Sequence, residues 1–238
     1  MTSIVLVHGA WGGSYGFRLV RPLLAAAGHN VLTPSLTGIG ERSHLTGDHV
    51  TLDLHVKDLT NTVFYEDLHD IVLLGFSYGG MVVTAALDEL GDKVKHLVYL
   101  DAFVPKHGDT AFSIIGATGE AHMTGHADNG LIPPIPRELA TPEETAWSNA
   151  RRALQPIGTF NTPVSLTTPV DDHPFSRTYI KATADPNEPA DSPFWNFAQH
   201  AQTSPAWDYH EIATNHMVPM TKPHDLATIL LDIANRPA

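Results

Sequence analysis

A chain of 238 residues with 42% hydrophobic and 8% aromatic side chains can bury one large core, so a single domain covering 1–238 is expected. The net charge of −12 argues against a phosphate backbone or an anionic membrane surface as partner, and no apolar run is long enough to span a membrane. No cysteine is present, which removes thiolate nucleophiles, disulfides and sulfur-ligated metals, and the start lacks a basic leader with a cleavage site, so a cytoplasmic protein is expected, monomer or homodimer.

Ile4-Val5-Leu6-Val7 is a continuous apolar run ending in the small-residue loop His8-Gly9-Ala10-Trp11-Gly12-Gly13, the pattern of a buried parallel strand. Ser14 is placed to cap a following helix whose buried face holds Phe17, Leu19, Val20, Leu23 and Leu24, with Pro22 disturbing its first turns and Gly28 ending it. Val31-Leu32-Thr33 reads as a short strand, 34–48 as a loop, and Leu52, Val56, Leu59, Val63 and Phe64 recur at the spacing of a helix. Next comes a second buried strand, Ile71-Val72-Leu73-Leu74, running into Gly75-Phe76-Ser77-Tyr78-Gly79-Gly80 and then a helix from Met81 to Leu90. A strand follows from Val94 to Leu100 and closes at Asp101.

From about 105 to 174 prolines and glycines are dense and only one helix is signalled, from Thr141-Pro142-Glu143-Glu144 to about Leu154. About seventy irregular residues inside a compact domain point to a functional lid, whose apolar underside would draw on Phe112, Met123, Trp147 and Phe160. Strand and helix alternation resumes with Thr178–Ala182, a helix near Ser192-Pro193, a last strand at Tyr209–Ile212 and a final helix from Pro223. The class is therefore α/β, a doubly wound and mostly parallel six-stranded sheet with an inserted lid, in which ligands sit outside the carboxyl ends of the strands.

The chemistry-bearing residues fall at those ends. A G-x-S-x-G sequence between a buried strand and a helix sets Ser77 on a tight turn with its hydroxyl exposed, and glycines stand where the two arms approach. A serine hydroxyl needs a base; histidine, with a pKa of about 6.5, suits, and a carboxylate must hold that histidine's tautomer. Of fifteen histidines, His216 follows the last strand, where a loop can carry it over Ser77. Asp185 follows the fifth strand and is taken as the acid, with Asp101 after the fourth as its rival. The backbone N–H groups of Ala10 and Tyr78 are placed to hold an oxyanion. His8 lies on the same edge with a structural role expected, and His122 with His126 has metal-ligand spacing without a third ligand, so no metal and no cofactor is expected.

His8-Gly9-Ala10-Trp11-Gly12-Gly13, Gly75-Phe76-Ser77-Tyr78-Gly79-Gly80, Leu100-Asp101-Ala102-Phe103-Val104-Pro105 and His216-Met217-Val218-Pro219-Met220 resemble the α/β-hydrolase superfamily. Within it they are similar to the branch of plant methyl esterases, hydroxynitrile lyases and bacterial pyrethroid and carbamate hydrolases. The resemblance spans nearly the whole chain outside the lid and implies an α/β-hydrolase fold and a serine hydrolase with the chain order Ser77, Asp185, His216. Lyases of that branch carry threonine where Gly9 stands and lysine where Met217 stands, so esterase chemistry is favoured. The expected substrate is a small, mostly apolar ester, in a pocket built with Trp11, Phe103, Trp147 and Met217. Hydrolysis of an amide, carbamate or lactone, cyanohydrin cleavage and a non-catalytic ligand receptor stand as alternatives.

Overall fold

The computed structural model of the chain describes residues 1–139 and 141–236. Strand β1 (Ser3–Val7) is followed by a 3₁₀ turn at Ser14–Phe17 and helix α1 (Arg21–Ala26), not by one continuous helix. Pro22 lies in the first turn of α1, where its missing N–H goes unneeded, so it starts the helix instead of disturbing it. Ser14 does not cap. The N–H groups of Ser14 and Tyr15 donate to the Glu41 carboxylate at 3.1 and 2.8 Å, and the Ser14 hydroxyl donates to it at 2.8 Å. Strand β2 (Asn30–Leu32) leads to helix α2 (Leu52–Tyr65), whose Leu52, Val56, Leu59 and Val63 are buried along one face, whereas Phe64, next to Val63 in the chain, falls off that face and is exposed. Strand β3 (Ile71–Phe76) runs into helix α3 (Gly79–Ala85) and the single turn α4 (Leu87–Leu90), and β4 (Val94–Leu100) follows.

The chain then leaves the sheet. Helix α5 (Ala111–Gly125) has no counterpart in the sequence reading, because only Ala111 and Phe112 of its residues are buried and no apolar stripe marks it. Its start is a capping box: Thr110 Oγ1 accepts from the Ser113 N–H and Ser113 Oγ accepts from the Thr110 N–H, each at 2.9 Å. Strand β5 (Leu131–Ile132), helix α6 (Pro142–Asn149), strand β6 (Gln155–Pro156) and the turn α7 (Gly158–Asn161) complete the excursion, β5 and β6 pairing antiparallel. Thr141 caps α6 by accepting from the Glu144 N–H at 3.1 Å. The helix ends before Leu154 because the Ala153 N–H donates to Trp11 O at 2.9 Å, tying this segment to the loop after β1.

Strand β7 (Ser176–Ala182), helix α8 (Pro193–Thr203), strand β8 (Asp208–Ile212), the turn α9 (Val218–Thr221) and helix α10 (Pro223–Ala234) finish the fold. The main sheet has six strands in the order β2-β1-β3-β4-β7-β8, every neighbour pair parallel. Residues of α2, α3 and α8 pack one face of it and residues of α1, α9 and α10 the other. Burial on both faces is why β1 and β3 read as unbroken apolar runs. All six strands point the same way, so their carboxyl ends share one edge. Among the described residues no helix is long and apolar enough to cross a membrane.

Candidate active site

Ser77 follows the last residue of β3 with φ of 56°, in the left-handed region that a side-chain-bearing residue enters at a cost of roughly 1–3 kcal/mol. Backbone bonds hold it there. Its N–H donates to Leu100 O at 3.2 Å, and its carbonyl accepts from the N–H groups of Gly80 and Phe103 at 3.1 and 3.2 Å. At Gly79 a Cβ would lie 2.6 Å from Val7 O, so only glycine lets the first turn of α3 pass β1. The result is a serine turned toward a cavity of about 670 Å³.

His216, in the loop after β8, meets that serine. Its Nε2 is 2.9 Å from Ser77 Oγ and its Nδ1 is 2.7 Å from Asp101 Oδ2. An ionised carboxylate only accepts, so Nδ1 carries the proton and Nε2 is left bare to accept from the Ser77 hydroxyl. The ring lies between Phe76, with centroids 4.9 Å apart, and Phe194, stacked at 5.2 Å. Burial pushes the imidazole pKa below its usual 6.5 even though Asp101 pulls the other way, so the ring is neutral at pH 7. For Asp101 the balance is reversed. Burial raises its pKa, but the hydrogen bond and charge of His216 and the ammonium of Lys181 outweigh this and hold the carboxyl below its ordinary value.

Lys181 is fully buried in β7. Its Nζ donates to Asp101 Oδ1 at 2.8 Å, Glu188 Oε2 at 2.7 Å and Ala182 O at 2.7 Å, so all three ammonium hydrogens have acceptors, and it sits 4.3 Å from the centre of the Trp195 ring. The sequence carried a signal for this that went unread: a lysine inside a buried strand requires an anion beside it.

The expectation that Asp185 orients His216 is corrected by these contacts. Asp185 Oδ2 accepts from the backbone N–H of His216 at 3.1 Å and faces Arg137 Nη1 at 3.5 Å, while Oδ1 accepts from the Asn187 N–H at 2.9 Å. It holds the histidine's main chain and not its ring. The cause is strand pairing. The Asp101 N–H donates to Ile180 O at 2.7 Å, which extends the β4–β7 ladder one residue past the sheet edge and sets the Asp101 carboxylate against both Lys181 and the imidazole.

The remaining predicted residues divide. Trp11, Phe103 and Met217 line the cavity with Ser77, as do Met123 and Phe160 from the excursion. Trp147 does not line it. Its ring is clasped between Arg18 and Arg151, with guanidinium carbons 4.2 and 4.1 Å from its centre, because α6 turns that side chain toward the 3₁₀ turn and away from Ser77. Phe112 is buried against Phe160 instead of facing the cavity. The N–H groups of Ala10 and Tyr78 donate to no acceptor among the described residues. The Tyr78 side chain is anchored away from the site: its hydroxyl pairs with His55 Nδ1 at 3.0 Å, and its ring stacks on Phe160 at 5.5 Å. His8 Nε2 accepts from the Leu36 N–H at 3.1 Å while Nδ1 donates to Gly9 O at 2.9 Å, which pins the loop after β1. His122 and His126 meet edge to face at 5.1 Å, and among the described residues no three His, Cys, Asp or Glu side chains gather as a metal site.

An open parallel sheet of this order, in a chain of this sequence, is matched by known proteins. The chain belongs to the alpha/beta hydrolase family, whose model matches residues 4–229. It is 38% identical to a carbendazim hydrolyzing esterase of Nocardioides sp. (strain SG-4G), over 95% of this chain and 97% of that one. It is 26% identical to salicylic acid-binding protein 2 of Nicotiana tabacum, over 98% and 96% of the two chains. Among solved structures, an extracellular alpha/beta-hydrolase from a Paenibacillus species superposes with a TM-score of 0.87 at 21% identity, over 99% of this chain and 100% of the other. That last likeness concerns the fold.

Proposed function

We propose that this protein is a serine hydrolase that cleaves small, mostly apolar carboxylic esters through an acyl-enzyme and needs no cofactor, with Ser77, His216 and Asp101 as its catalytic triad. The observation that carries the reading is the unbroken contact chain from Ser77 Oγ through His216 to Asp101, at 2.9 and 2.7 Å. Ser77 Oγ attacks the ester carbonyl as His216 Nε2 takes its proton. Asp101 keeps Nδ1 protonated and stabilises the imidazolium. The free N–H groups of Ala10 and Tyr78 receive the oxyanion. His216 returns the proton to the departing alcohol, and a water molecule, deprotonated by the same ring, releases the acid.

An esterase among the relatives over nearly the full length supports the ester bond as target. Gly9 supports it over cyanohydrin cleavage: a Cβ there would fall 2.8 Å from the Ser77 Cβ, and Met217 supplies no cation. The test is Ser77→Ala against a short-chain 4-nitrophenyl ester, with a fluorophosphonate probe on the wild type. Loss of at least roughly 10³-fold in kcat and labelling at Ser77 are expected. A variant that keeps its activity, or a label on another residue, overturns the reading.

A further inference from the structure

We infer that Arg152 forms a carboxylate-binding subsite in the Ser77 cavity, so that the substrates include esters carrying a second, ionised carboxyl group away from the scissile bond. This rests on the serine hydrolase reading for the reaction, though not for the binding.

Arg152 lies between α6 and β6, where it lines the cavity into which Ser77 opens and a smaller neighbouring one of about 280 Å³. Its Nε is buried without a hydrogen-bond partner, and among the described residues no carboxylate pairs with it. The other charges around the cavity are accounted for. Asp101 serves His216 and Lys181, Glu188 serves Lys181, and Asp185 is shared by Arg137 and the His216 main chain. Asp191 is exposed and makes no pair with Arg152. One guanidinium on the wall of the Ser77 cavity therefore has no carboxylate partner among the described residues.

That charge sits in an unfavourable place. Burial, and then the nearby charge of Arg137, lower the Arg152 pKa from 12.5 to about 10. An anion in the cavity would offset both effects by favouring the charged guanidinium. The position is also stiff: the Arg152 N–H donates to Asn149 O at 3.3 Å, the next amide donates to Trp11 O at 2.9 Å, and the guanidinium carbon lies 5.6 Å from the centre of the Trp11 ring. The Trp11 N–H in turn donates to Gln155 Oε1 at 2.8 Å, beside the amide of Ala10. Packing on Trp11 alone would be met by an uncharged side chain, whereas a planar fork of donors matches a carboxylate.

The experiment compares two esters of equal length, 4-nitrophenyl hexanoate and the 4-nitrophenyl half-ester of adipic acid. The ratio of their kcat/KM values, charged over neutral, is measured for the wild type, Arg152→Gln and Arg152→Lys. Arg152→Gln is expected to lower that ratio by about tenfold or more, the loss of one charge-assisted hydrogen-bond pair, and Arg152→Lys to lower it less. An unchanged ratio in both variants overturns the subsite, even if both activities fall together, since that would mean packing only. Binding is read separately by titrating adipate into Ser77→Ala and Ser77→Ala/Arg152→Gln by calorimetry. Affinity at least tenfold weaker in the double variant supports the subsite, and equal affinity overturns it. If Ser77→Ala still hydrolyses the neutral ester, the serine reading fails, and the adipate comparison judges the subsite alone.

Discussion

Two strand ends each offer an aspartate to His216, and they do different work. At the end of β4, Asp101 continues the sheet ladder, is 1% exposed, and spends one oxygen on the imidazole and the other on a fully buried lysine. Three residues past the end of β7, Asp185 begins a turn and binds the histidine's own N–H, with Arg137 beyond it. The first aspartate sets which way the ring points and which nitrogen is protonated, while the second sets where the ring's backbone stands. The difference shows that an acid is selected by what neutralises and anchors it. The ammonium of Lys181, placed by the β4–β7 pairing, fixes the Asp101 carboxylate in line with Nδ1.

Breaking the first end should cost most. Asp101→Asn is expected to lower kcat by roughly 10³–10⁴-fold with KM much less affected, because the amide admits the wrong imidazole tautomer. Steady-state kinetics on a 4-nitrophenyl ester measures this, and a deficit larger in Asp185→Asn than in Asp101→Asn would reverse the comparison. Lys181→Met leaves Asp101 and Glu188 facing each other without their cation, and a loss of about 3–5 kcal/mol in unfolding free energy is expected by urea denaturation. A variant as stable as the wild type would show that the lysine is not what holds Asp101.

Asp185→Asn removes one charged acceptor from a backbone N–H, a change of about 1.5–3 kcal/mol that should appear more as lowered stability than as lost chemistry. The smallest effect is on pH dependence. In the proposed mechanism His216 must be neutral to act as base, and burial holds its pKa below 6.5, so kcat/KM should fall with a midpoint on the acid side of 6.5. Asp185 raises that pKa, so Asp185→Asn should move the midpoint further toward acid. A wild-type midpoint above 6.5, or a shift toward alkali in the variant, would contradict the charge balance described for the ring.

Much of this was open to reading from the residues. Ile71–Leu74 followed by Gly75-Phe76-Ser77-Tyr78-Gly79 announces a strand-to-helix turn through local rules alone: apolar runs, glycine at a close approach, serine between. His216 was identifiable because it follows the last strand in a parallel order, and topology sends every such loop to one edge. Helix α5 escaped because its start depends on a Thr110–Ser113 capping box while only Ala111 and Phe112 of its residues are buried, so no apolar stripe marks its length. Trp147 was misplaced for a related reason: nothing in an eight-residue helix with a weak apolar pattern tells which way one indole faces.

The chain's letters by themselves determined the parallel sheet, the serine turn and the histidine loop, since each depends on neighbours a few residues apart and on strand direction. Tertiary structure alone decided which of the two aspartates meets the imidazole and placed Arg152 on the wall of the Ser77 cavity. Those outcomes turn on electrostatic partners up to 115 residues away, as between Asp101 and His216, and the energy of a buried charge depends on distances that spacing along a polymer does not encode.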